Sequence, residues 1–229
     1  SAAKSAPYLE KNRDKLIETW IFNGLFERLI SFLDFEAAAM ALLDEEQQEA
    51  VHKLFDKLCN FYDDLIGRYQ KYYGTQLILF HDDWGSQRAP FFSLATCREM
   101  LVPYLKRVAE SCHKRGMYIN FHCCGKNEML VPAMIEAGVD MWIPQSMNDF
   151  DMLVKEYGDK ICLGSRMSLL PPETPDEDVV AAATAFVTRY KGCTRVFSSG
   201  AMFARTNPAM AKLMREVYFQ TREEYNKLA

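Results

Sequence analysis

Tyr118-Ile119-Asn120-Phe121-His122-Cys123-Cys124-Gly125 is the stretch on which the reading of the whole chain turns. A short apolar run leads straight into an imidazole, two thiols and a glycine. Side chains alternate faces along a strand, so His122 and Cys124 point one way and Cys123 the other. An imidazole and a thiol on one wall at a strand's C-terminal end offer one soft metal ion two ligands. Gly125 allows the sharp turn that a strand-end site requires. The competing reading is a buried histidine bonded to backbone beside an ordinary core thiol, since structural zinc sites usually show four ligands.

Working outward, the same pattern recurs. Candidate strands fall at 15–22, 76–80, 118–122, 141–144, 161–166 and 195–199, each short, apolar and ended by polar residues or Gly. Between them lie helical periodicities at 25–33, 35–43, 44–73, 93–115, 127–137, 149–157 and 177–190, with a last helix after Pro208. Asp44 with Gln47 three residues on predicts the cap of the long helix over 44–73, and Gly74 its end. Strand and helix alternate six times, the βα grammar of a parallel sheet covered by helices. Polar groups gathered at strand ends predict a barrel that works at its C-terminal rim. The fold class is therefore α/β, of the (β/α)8 TIM-barrel family, with about six of eight βα units present and the N-terminal part absent. Residues 1–14 read as an N-terminal extension, part of it a cloning scar, and 15–229 as one barrel domain. Strand edges left open by an incomplete barrel predict self-association or a further N-terminal segment.

Composition limits the function classes. The chain has 229 residues, 49% of them hydrophobic, and a net charge of −4. Lys and Arg are scattered, so no stripe for nucleic acid forms. No apolar run approaches the roughly 18 residues that a membrane span needs. Seven Cys, an odd count at irregular spacing, predict reduced thiols and a cytoplasmic location.

Other strand ends supply the remaining candidates. Asp82 and Asp83 close the strand before His122, one facing the barrel interior and the other the helix layer or rim. Either could be a metal ligand, a general base or an acceptor for substrate N–H groups, or simply cap the next loop. His81 ranks behind them as a third ligand. Gln87 and Gln145 are candidate polar walls, Arg166 a candidate anion contact, and Ser198-Ser199-Gly200 a hydrogen-bonding turn.

Taken in order, His81-Asp82-Asp83-Trp84-Gly85-Ser86-Gln87, Val102-Pro103, Phe121-His122-Cys123-Cys124-Gly125 and Ala137-Gly138-Val139-Asp140 resemble the uroporphyrinogen decarboxylase superfamily. The likeness runs from about Trp20 to the last helix. It is closest to the corrinoid methyltransferase branch, which includes methylcobalamin:coenzyme M and O-demethylase methyltransferases. The resemblance implies a (β/α)8 barrel of which this chain carries strands three to eight. It implies zinc on His122 and Cys124, activating a thiol, with a corrinoid (methylcobalamin) as co-substrate or on a partner protein. Such members carry a third Cys ligand in the last Gly loop, where this chain has Ala201, so either an Asp of 82–83 completes the set or metal binding is weak or lost. The expected function is zinc-assisted methyl transfer between a corrinoid and a thiol or other small acceptor or donor. The alternatives are metal-independent uroporphyrinogen decarboxylation, a lyase reaction of porphyrin biosynthesis, and a truncated, non-catalytic barrel that binds a corrinoid protein. Expected partners are thus a corrinoid protein or a small-molecule substrate, with no nucleic acid or membrane, and a possible homo-oligomer.

Overall fold

The computed structural model describes residues 2–165, 170–198 and 208–227. They form two compact units, 1–149 and 150–229. In the first unit, α1 (Ala2–Lys11) precedes β1 (Glu18–Ile21), α2 (Leu25–Phe32), α3 (Phe35–Ala41) and α4 (Glu45–Tyr73). Then come β2 (Leu77–His81), α5 (Leu94–Met100), α6 (Val102–His113) and β3 (Tyr118–His122). A 3-10 turn (Glu128–Leu130) leads into α7 (Val131–Glu136) and β4 (Met141–Trp142). The second unit holds α8 (Phe150–Tyr157), β5 (Cys162–Ser165), α9 (Asp176–Arg189), β6 (Val196–Ser198) and α10 (Pro208–Lys227).

Every ladder within a unit is parallel: β1 on β2, β2 on β3 and β3 on β4 in the first, β5 on β6 in the second. This is the α/β architecture of a (β/α)8 barrel family, with six βα units among the described residues. The six expected strands are all present. β3 has the expected ends, and the others differ by one to three residues at an end, most of all β1, which starts at Glu18 rather than at 15.

Leu77, Ile78, Leu79 and Phe80 of β2 are buried, as a strand covered on both faces must be. Against this layer α4 presents Val51, Phe55, Cys59, Tyr62 and Ile66, buried at helical spacing. Val51, Phe55 and Ile66 each contribute roughly 1.5–3 kcal/mol of transfer free energy. The Asp44 side chain accepts from Glu46 N–H and from Gln47 Nε2, while Gly74 closes the helix at φ +63°. Tyr62 donates its hydroxyl to Asn23 O at 2.9 Å, tying the middle of α4 to the end of β1. In the second unit α9 and α10 share a cluster of Val179, Ala183, Met210, Ala211 and Met214.

Three expectations are corrected. The helix expected over 93–115 is two, α5 and α6, because Pro103 has no N–H to continue the ladder and is tolerated only in a first turn. Pro132 has the same effect on the segment expected as one helix at 127–137, which starts as a 3-10 turn. Residues expected to be a plain extension contain α1, although Pro7 stands inside it. Among the described residues no helix is long and apolar enough to cross a membrane.

Candidate functional site

The site is built on the rung where His81 of β2 pairs in register with His122 of β3. Residues paired in a parallel ladder share a face, so the two imidazoles stand side by side. They stack with ring centroids 4.6 Å apart and planes 10° from parallel. Two residues further along each strand, the same face carries Asp83 and Cys124. One ligand atom from each of His81, Asp83, His122 and Cys124 lies within 4.8 Å of all the others. All four are half-buried, reachable yet partly shielded.

The individual distances show how the group is held. His122 Nε2 lies 3.2 Å from Cys124 Sγ. Asp83 Oδ1 is 3.8 Å from His81 Nε2 and accepts the Cys124 backbone N–H at 2.7 Å. His81 turns Nδ1 to Glu27 Oε2 at 2.6 Å. With metal–ligand bonds of about 2.0–2.3 Å, neighbouring tetrahedral ligands stand roughly 3.3–3.7 Å apart. The His122–Cys124 pair, at 3.2 Å, lies just short of that span, and a pair at the 4.8 Å limit needs closing by about an ångström. Two imidazoles, a carboxylate and a thiol suit a borderline divalent cation.

Without a cation the electrostatics keep the thiol protonated. Burial first, then hydrogen bonding to Asp83 and the charges of Asp83 and Glu27, push the Cys124 thiol up to about 12. A cation beside it reverses that balance, because a coordinated thiol is deprotonated outright. His81 is raised, chiefly by its hydrogen bond to Glu27, against a desolvation that lowers it.

The loop after β3 is fixed by a close approach. Gly125 has φ +101°, and a Cβ there would lie 2.4 Å from the carbonyl carbon and oxygen of Gly85 and 2.7 Å from Ser86 O. Gly125 N–H donates to Gln145 Oε1 at 2.9 Å, so Gln145 braces the loop that carries Cys124. Asn127 Nδ2 donates to Cys123 Sγ and to Cys124 O, holding the buried Cys123 on the opposite face.

Asp82 does not join Asp83. It is completely buried and accepts from Phe26 N–H (3.1 Å), Glu27 N–H (2.9 Å) and Trp84 Nε1 (2.9 Å). It therefore caps the N-terminus of α2 across the chain, which corrects its expected place in the site. Burial pushes its carboxyl up to about 7, and the three donors act against that rise. Gln87 is exposed on the turn between Ser86 and Ala89, outside the cluster. Ser198 ends β6 in the second unit. Arg166, Ser199 and Ala201 lie outside the described residues.

His81 stands behind the two Asp residues among the expected ligands, and Glu27 is not among them. His81 and Asp83 are two apart and thus share a face, which is a local signal; Glu27 lies 54 residues from its partner and has none.

A comparison with curated proteins finds no match. The family model of uroporphyrinogen decarboxylase (URO-D) matches residues 31–218. That span takes in β2 to β6 and every member of the strand-end cluster. Parallel βα units, polar strand ends and a family match over most of the sequence agree: the chain belongs to the uroporphyrinogen decarboxylase family.

Proposed function

We propose that this chain is a zinc-assisted methyltransferase of its family, moving a methyl group between a corrinoid and a thiol or other small acceptor or donor. The observation that carries the reading is the convergence of His81, Asp83, His122 and Cys124 within 4.8 Å. His122 and Cys124 would be the core ligands, Asp83 the carboxylate that completes them, and His81 the fourth donor. Bound zinc would act as a Lewis acid that keeps a thiol in its nucleophilic thiolate form near neutral pH. Asp83 orients the Cys124 backbone through its hydrogen bond, and Gln145 fixes the turn behind it. Partial burial of all four side chains limits competing water, which strengthens electrostatic interactions in the site.

The test is metal content together with turnover. Purified protein is expected to hold zinc and to transfer methyl from methylcobalamin to a small thiol. A His122→Ala, Cys124→Ala double variant that stays folded by circular dichroism is expected to lose both. Full zinc content in that variant rejects the site. The family description favours a second reading, metal-independent decarboxylation; turnover of uroporphyrinogen in the presence of a chelator, lost in Asp83→Ala, would establish it instead.

A further inference from the structure

Glu27 enters the site from a distant part of the chain, and its placement is tightly determined. Its backbone N–H is held by Asp82 and its carboxylate by His81, two consecutive residues whose side chains leave β2 on opposite faces. Gly24, just before α2, donates its N–H to His81 O at 2.7 Å, and a Cβ at that position would lie 2.6 Å from Asp82 Cβ. The first turn of α2 is thus pressed against the end of β2, with Glu27 in that turn. The favourable end of the helix dipole supports a carboxylate there.

A carboxylate only accepts hydrogen bonds, so the proton shared with Glu27 Oε2 belongs on His81 Nδ1. Nε2 of the neutral ring then carries a lone pair, and it is Nε2 that faces Asp83 Oδ1 across 3.8 Å. Carboxylate partners of this kind fix ring orientation and tautomer for metal-binding histidines. Resting on the metal reading above, we infer that Glu27 is a positioning residue: it selects the Nδ1–H tautomer of His81 and presents Nε2 to a divalent cation in the cluster.

Cobalt(II) is the probe, because its ligand-field absorption reports geometry and chelator competition reports affinity. Glu27→Ala is expected to weaken cobalt binding by about 10–100-fold and to alter the absorption bands. Glu27→Gln, whose amide oxygen still accepts from Nδ1, is expected to restore most of the loss. Affinity and bands unchanged in Glu27→Ala overturn the role of Glu27 alone, as does an equal loss in the two variants. Parent protein that takes up no cobalt overturns the metal reading and this inference with it. A readout independent of metal is the imidazole nitrogen NMR spectrum of metal-free parent protein. Recorded at a pH high enough for the ring to be neutral, the Nδ1–H tautomer at His81 is expected; the Nε2–H tautomer overturns the inference even should the alanine variant not fold.

Discussion

Replacing Asp82 with alanine tests whether the wall behind the site is held as described. The change deletes three acceptor bonds at once, from Phe26 N–H, Glu27 N–H and Trp84 Nε1, in a place with no exposed surface. Loss of a helix cap costs about 1 kcal/mol. A buried indole N–H left without an acceptor adds about 1–3 kcal/mol. Removing a buried carboxylate returns part of this, so a net loss of about 2–4 kcal/mol is expected. For a chain of this size that is a fall in melting temperature of about 4–16 °C. Asp82→Asn separates the contributions. Its oxygen can still serve Phe26 and Trp84 while the amide faces the Glu27 N–H, so one bond is lost, at about 1–2 kcal/mol. Urea unfolding followed by tryptophan fluorescence measures both, since Trp84 is buried against Phe121 at the same place. An alanine variant within about 0.5 kcal/mol of the parent, well under an ordinary cap, would refute the capping role, and so would an asparagine variant equally damaged.

Two further expectations follow from the loop and from the first unit's surface. Gly125→Ala is expected to destabilise by more than the roughly 1–2 kcal/mol of left-handed strain alone, because the added methyl meets Gly85 backbone. Gly74→Ala is the control in the same urea experiment: it has φ +63° and nothing within 4 Å, so only the strain remains. Asp63 is held below the usual carboxylate range first by Arg115, then by Lys114 and Ser111. A depressed value means its stabilisation is present above the unfolded value of about 3.9 and lost as pH falls through the folded one. Asp63→Asn should therefore melt below the parent at pH 7, with the gap closing below pH 4; a gap that is constant down to pH 2 would refute the assignment.

How much of this was legible in the sequence depends on the distance over which each signal acts. Alternation along a strand is local, which is why the common direction of His122 and Cys124 and the split between Asp82 and Asp83 could be read directly. So could the need for glycine at 125, although its cause, the backbone of Gly85 packed against it, could not. The register that brings His81 beside His122 belongs to two strands 41 positions apart and has no trace in either. Glu27 depends further on how α2 docks on β2, a packing event decided by Gly24 and Asp82 together. Helix breaks at Pro103 and Pro132 were visible as prolines; the apolar periodicity running through them masked the interruption.

The rung shared by β2 and β3 has a consequence for how such a site can change over time. Inserting or deleting one residue in either strand before its histidine would swing that imidazole to the opposite side of the sheet, whereas the turns beyond the rung can lengthen without moving it. Substitutions and loop growth are thus open routes for acquiring new chemistry at this strand end, and length changes within the two strands are closed.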